Sequence, residues 1–414
     1  MNIQKNLIAL VILNFHFLSL NLSAQTYQLA DTTRYSEISG YGYDFVAPPA
    51  KSSKSPFFFS VKVPDGNYLV TVKLGNKTKA GITTVRAESR RLFIQNCVTR
   101  KGEFVEKTFV VNKRTPRITD SEKVKIKERE KTYLNWDDKL TLEFNGDLPM
   151  VETVGIKAAH EGTVQVFLCG NSTVVDQNDE PWASWGQMIP AFFDTSVAVV
   201  NLAESGESAT SFIASNRLKK AISLCKKGDY ILVEFGHNDE KITRAGSGAY
   251  FSFMTNLKIF VDEARAKGAN PVLVTPTARR QFESNGNLKD THGEYDDAVR
   301  FLAEKENVPL IDLTAMTTTM YEALGTEKSK KLLVHYPANT FPNQSNPLAD
   351  NTHFSTFGAY QTAKCVAVGL QKAVPALALH LTDSVGFNPA FPDDFDSFKW
   401  NLSPFFEKEK PDGK

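Results

Sequence analysis

The chain has 414 residues, enough for two or three domains and a sizeable apolar core. Its 48 Lys+Arg against 47 Asp+Glu leave a formal charge of +1, so no global field draws nucleic acid or an anionic membrane, and partner choice is local. The four cysteines form no framework pattern, and with no Cys-x-x-Cys or His-Glu-x-x-His spacing we expect neither a metal nor another cofactor, only small buried thiols.

Residues 1–24 carry one lysine, an apolar run over 7–22 and the small pair Ser23-Ala24, the layout of a cleavable export leader. No cysteine follows to take a lipid, and Asn14, His16 and Asn21 interrupt the run, which argues against a spanning helix. A secreted or periplasmic protein without membrane insertion is expected. Residues 25–160 then read as short strands at 57–63, 68–74, 83–89, 92–98, 104–111, 139–144 and 151–157. Pro64-Asp65-Gly66-Asn67 between the first two has the chemistry of a hairpin turn, and many strands without a convincing helix predict an all-β sandwich, with a galactose-binding-like module as one candidate. The lysine-rich stretch 123–131 mixes both signs and reads as a solvated edge.

From Thr163 the texture changes. Apolar strands at 164–168, 196–200, 230–235, 271–275 and 308–312 alternate with helical patterns at 212–226, 250–267 and 295–306, which predicts an α/β unit over 161–376 built on a parallel sheet covered on both faces. Ligands on such sheets gather at the carboxyl ends of the strands. The Pro- and aromatic-rich stretch 312–350 reads as an excursion on the substrate side, and residues 377–414 as a tail that packs at first and is disordered from 408.

Three blocks sit at those strand ends: Gly170-Asn171-Ser172-Thr173, the segment 201–208 with Gly206, and Gly236-His237-Asn238-Asp239. A fourth, Asp350-Asn351-Thr352-His353, precedes a helical pattern. A serine needs an adjacent base to attack an ester, His353 can take its proton, and Asp350 three residues earlier can fix the ring tautomer. Charge developing on a carbonyl oxygen needs preorganised donors, for which the amides of Ser172 and Gly206 and the side chain of Asn238 are candidates. Each block alone has a plainer reading, Ser172 and Asp350 as helix caps and His237 as a satisfied core histidine, while Asp239 reads as a residue that orders the Asn238 loop.

Taken together the four blocks resemble the SGNH, or GDSL-like, hydrolase superfamily, and within it the rhamnogalacturonan acetylesterase family. The resemblance covers about residues 163–374. It implies a flavodoxin-like three-layer α/β/α domain that uses no metal. It further implies Ser172 as nucleophile, His353 as base, Asp350 as its partner, and Gly206 with Asn238 as the oxyanion hole. One departure stands out: the family has Asp before the serine, where this chain has Asn171, so altered hydrogen bonding beside the nucleophile is expected. An α/β-hydrolase nucleophile elbow is excluded because Val174 stands where it requires glycine.

The sequence therefore predicts an exported serine esterase that removes acetyl groups from a pectic polysaccharide or oligosaccharide. Alternatives are the same chemistry on acetylxylan, a lipid or a thioester, or an idle carbohydrate-binding protein. Arg279 and Arg280 have two open readings, clamps for uronate carboxylates or a solvated charge pair. Trp182, Trp185, Tyr336 and Phe341 likewise read as sugar-stacking or as core residues.

Overall fold

The computed structural model describes residues 24–45, 56–382 and 386–405. All but the last residue of the expected leader, and the expected disordered stretch from 408, lie outside the described residues.

The first half is built from strands, with two 3-10 turns at Glu128–Thr132 and Leu134–Trp136: β1 (Gln25–Gln28), β2 (Tyr41–Asp44), β3 (Phe57–Lys62), β4 (Gly66–Gly75), β5 (Gly81–Ala87), β6 (Arg91–Thr99), β7 (Phe104–Lys113), β8 (Lys139–Asn145) and β9 (Val151–Ala158). They form two antiparallel sheets, in the orders β1-β9-β4-β7 and β2-β3-β8-β5-β6. Alternation decides which side chains face inward. Tyr68, Val70, Val72 and Leu74 of β4 meet Phe57, Phe59 and Val61 of β3 across the core of the sandwich. The hairpin expected between β3 and β4 is not there: β3 pairs with β2 and β8, β4 with β7 and β9. Their apolar faces bury against each other rather than their edges, and Pro64, lacking an N–H, begins the crossing between the sheets.

The second half carries five parallel strands, β10 (Val164–Gly170), β11 (Val197–Asn201), β12 (Tyr230–Glu234), β13 (Asn270–Val274) and β14 (Leu310–Ile311). Their order β11-β10-β12-β13-β14 is the flavodoxin-like arrangement, with the first strand second from the edge and the crossover direction reversing beside it. The helices are α1 (Trp185–Met188), α2 (Ala209–Ala214), α3 (Arg217–Leu224), α4 (Met254–Ala266), α5 (Glu294–Glu306), α6 (Leu313–Lys328), α7 (Thr356–Ala373) and α8 (Pro375–Ala378). Val166 and Leu168 of β10 pack with α1, α6 and α7, whereas Phe167 and Cys169 pack with α2 to α5, so the period of two sorts one strand onto both helical layers. The single helix expected over 212–226 is two, α2 and α3, because Asn216 takes a left-handed φ of 64° between them. The expected excursion is largely regular: α6, a 3-10 turn at Ser329–Leu332, and an antiparallel pair β15 (Leu333–Tyr336) and β16 (Leu348–Phe354).

The two halves share a seam rich in buried charge. Arg86 with Glu143, Arg90 with Glu180, Arg91 with Asp176 and Arg217 with Glu130 are ion pairs of almost fully buried side chains. Residues around 393–398 pack on α7, through Asp393 with Gln361 and Phe398 with Phe357, and 399–405 then run back over the sandwich, where the Lys399 carbonyl accepts from Asn96 Nδ2 at 2.9 Å, that of Leu402 from Asn145 Nδ2 at 2.9 Å, and the Trp400 ring stacks on Arg86. The stretch 123–131 is solvated only in part: Lys123, Lys125, Glu128 and Lys131 are exposed, but Glu130 is fully buried against Arg217 and Trp136. All four cysteines are free, three of them buried, but Cys97 is half-buried. No helix among the described residues is long and apolar enough to cross a membrane.

Candidate active site

Ser172 stands two residues beyond β10, in a turn rather than at the start of a helix, so the capping reading does not apply. The chain leaves the strand tightly: a β-carbon at Gly170 would lie 2.9 Å from the Glu234 carbonyl oxygen and 2.5 Å from Val174 Cγ2, so only glycine fits. Asp350 and His353 come from β16 itself, and Ser355, not Asp350, caps α7 by accepting from the Gly358 N–H. The β15–β16 pair thus delivers the two side chains to the rim where β10 ends.

There the three residues form one line. His353 Nε2 lies 2.8 Å from Ser172 Oγ, and His353 Nδ1 lies 2.8 Å from Asp350 Oδ2. The carboxylate can only accept, so Nδ1 carries the proton and Nε2 is left as acceptor toward the serine hydroxyl. Burial pushes the Asp350 carboxyl up. The hydrogen bond and charge of His353, with the N–H groups of His353 and Thr352, outweigh that and hold it at about 2. Asp350 therefore stays ionised, and all three residues are buried.

The remaining blocks converge on the same place. Gln177 Nε2 donates to the Ser172 carbonyl at 3.0 Å and reaches Ser205 Oγ at 3.4 Å, joining the serine turn to the loop of Gly206, whose φ is 81°. Asn238 Nδ2 donates one hydrogen to the Glu207 carbonyl at 3.0 Å, which fixes the amide beside that loop and leaves its second hydrogen. Among the described residues the N–H groups of Ser172 and Gly206 enter no hydrogen bond. Asp239 accepts from the N–H groups of Ala209 and Gly236 and so orders the Asn238 turn.

Asn171 is fully buried, and its Oδ1 accepts from the Thr173 N–H at 3.1 Å. Thr173 Oγ1 lies 2.9 Å from that same oxygen and 2.6 Å from Glu234 Oε1, while Trp185 Nε1 donates to Glu234 Oε2 at 2.5 Å. Burial pushes Glu234 up to about 7 against these hydrogen bonds. An aspartate at 171 would set a second buried carboxylate against Glu234 across one shared hydroxyl, which gives the departure at this position a physical reason.

Other expectations resolve differently. Arg279 is paired with Glu240 and donates to the Thr291 and His237 carbonyls, and Arg280 donates to Ser329 Oγ, Asn351 Oδ1 and the Thr326 carbonyl. Both guanidiniums are thus engaged with the protein itself. Trp182, Trp185 and Phe341 are buried core residues, and only Tyr336 is half-buried. His237 is buried but half satisfied: Nε2 faces Thr277 Oγ1 at 3.2 Å, and Nδ1 has no partner among the described residues. Burial, then the nearby His292, Arg279 and His353, holds its pKa well below the usual histidine range, so it is neutral. Sequence reasoning missed Gln177 and Glu234, and it did not foresee that Trp182 stands edge-on to the His353 ring at 5.8 Å between centroids.

A profile of the GDSL-like lipase/acylhydrolase family matches residues 168–359. Over 225 residues the chain is 44% identical to the rhamnogalacturonan acetylesterase RhgT of Bacillus subtilis, covering 54% of this chain and 96% of that protein. It is 27% identical over 310 residues to YxiM, an uncharacterized esterase of the same organism, covering 73% of this chain and 75% of the relative. A crystal structure of a Bacillus subtilis protein, also YxiM, is 24% identical, covers 82% of this chain and 92% of that one, and superposes with a TM-score of 0.47. The chain belongs to the GDSL-like lipase/acylhydrolase family. It is a carboxylic ester hydrolase.

Proposed function

We propose that the protein is an exported carbohydrate acetylesterase that deacetylates a pectic polysaccharide, rhamnogalacturonan, through an acetyl-enzyme on Ser172. The observation that carries the mechanism is the unbroken line from Ser172 Oγ through His353 to the ionised Asp350, with 2.8 Å at each step. His353 Nε2 takes the hydroxyl proton as Oγ attacks the acetyl carbonyl. The imidazolium is stabilised by Asp350, which itself stays unprotonated. The oxyanion is met by the amides of Ser172 and Gly206 and the second hydrogen of Asn238, each worth about 2.7–4 kcal/mol of barrier. Collapse breaks the ester bond, His353 returns the proton to the departing sugar oxygen, and water activated by the same ring then releases acetate.

The choice of sugar ester rests on the 44% identity to RhgT along nearly all of that relative. Export rests on the lysine, apolar run and small residues of 1–24. Acetate release from acetylated rhamnogalacturonan oligomers, compared with acetylxylan and long-chain acyl esters, tests the substrate: equal or better turnover of either competitor overturns it. An organophosphonate should label Ser172, and failure to label folded protein would favour an idle binding module.

A further inference from the structure

We infer that Arg90, contributed by the β-sandwich, is a positioning residue for the esterase centre, holding the loop that ties Ser172 to His353. The inference rests on the triad reading above. It starts from an anomaly of burial. Residues 88–91 form the tip of the β5–β6 hairpin, and hairpin tips ordinarily lie in water. Here Glu88, Ser89, Arg90 and Arg91 are exposed by only 1%, 1%, 2% and 0%. Burying such charge is expensive, and apolar side chains of similar volume would give at least the same stability, so adhesion alone does not explain the choice of residues.

Their contacts do. Arg90 Nη1 donates to the Trp182 carbonyl at 2.9 Å and to the Gln177 carbonyl at 3.2 Å, one hydrogen to each, and Nη2 lies 2.7 Å from Glu180 Oε2. One planar fork therefore spans the loop 177–182 and fixes both of its ends. At one end Gln177 Nε2 holds the Ser172 carbonyl at 3.0 Å. At the other the Trp182 ring stands edge-on to His353, and the next residue, Ala183, donates its N–H to the Phe354 carbonyl at 3.1 Å. Serine and histidine are thus set against each other by a group from outside the α/β unit. A lysine at 90 offers a point charge to Glu180 but cannot reach two carbonyls with fixed geometry.

The test is steady-state hydrolysis of p-nitrophenyl acetate by full-length Arg90→Ala, Arg90→Lys, Ser172→Ala and Lys220→Met. Lys220 lies at the same seam, 3.5 Å from Asp65, but touches none of these loops. Loosening the serine–histidine geometry should lower kcat of both Arg90 variants by about 10²-fold while KM stays within about twofold, and guanidinium ion should restore kcat of Arg90→Ala. Lys220→Met should lower Tm and leave kcat unchanged. An unchanged kcat in Arg90→Ala overturns the inference, as does a loss that Lys220→Met reproduces or that guanidinium does not reverse. Should Arg90→Ala fail to fold, Gln177→Leu cuts the relay to Ser172 without removing a charge: a kcat loss at constant KM is expected, and wild-type kcat overturns the inference. Persisting activity in Ser172→Ala would instead remove the triad reading beneath it.

Discussion

The line from Asp350 to Ser172 and the seam around Asp176 and Glu180 bury similar groups close together, the latter two following Ser172 on one loop, yet they are wired differently. Along the line His353 joins a carboxylate, itself held by the Thr352 and His353 N–H groups, to the Ser172 hydroxyl. In the seam the two carboxylates face cations and donors from several sides: Asp176 has Arg91 and Arg114 nearby and accepts from Asn201, and Glu180 pairs with Arg90 and accepts from Trp400 and the Ser403 N–H. Asp350 is held low enough to stay ionised, whereas at Asp176 burial outweighs its arginines and the pKa rises. On the mechanism and the inference proposed above, the first arrangement poises a proton for transfer, and the second fixes backbone carbonyls in space.

If that contrast is right, equivalent damage to the two regions will appear in different observables. The largest effect on rate is expected from Asp350→Asn, which keeps the shape but admits the wrong ring tautomer. Its kcat should fall about 10⁴-fold, far more than any accompanying shift in its melting curve accounts for. Asn238→Ala, removing one oxyanion donor, should cost about 10²–10³ in kcat with little change in KM. In the seam, Arg86→Met strands Glu143 without its partner and should cost about 3–5 kcal/mol of stability in urea titration, with kcat of the folded enzyme unchanged. Arg86→Met with Glu143→Leu should recover most of it, and a double variant no more stable than the single one would show that the seam is not governed by paired charge.

The smallest effect sharpens the comparison through pH. Glu234 has a folded pKa of about 7 against an ordinary 4.5, so its contribution to stability is complete below 4.5 and is lost as pH rises toward 7. Glu234→Gln should remove that dependence, on the order of 1–3 kcal/mol between pH 4.5 and 7, as read from melts across the range. Asp350 has the opposite sign: its contribution is present above 3.8 and is lost as pH falls toward 2. A wild-type profile in which only the acid-side loss appears would show that Glu234 is ionised throughout.

How much of this could be read beforehand depended on how local each signal is. The parallel strands are nearly continuous apolar runs, three blocks lie where those runs stop, and the fourth keeps Asp350 and His353 within one short segment, so the α/β unit and the cluster of Ser172, His353 and Asp350 were legible. The turn chemistry of Pro64-Asp65-Gly66 was real, but which strands it joins is a tertiary matter, and it connects two sheets. The seam was hidden for a like reason. Arg86, Arg90, Arg91 and Arg217 resemble surface charges until partners such as Glu143 and Glu180 are known, and Glu130 sits in a lysine-rich stretch that looks solvated. The commitment of Arg279 and Arg280 to protein acceptors was equally invisible from their place after a strand.

The route of residues 399–405 bears on biogenesis. The sandwich is made first on the ribosome, yet the carbonyls that receive Asn96 and Asn145, and the indole that covers Arg86, arrive only with residues 399–402. Glu180, on the loop beyond Ser172, likewise waits for Trp400 and Ser403. The seam beside the reactive serine is thereby finished only after residues 399–403 are made, and a nascent chain held back before that point lacks this clasp.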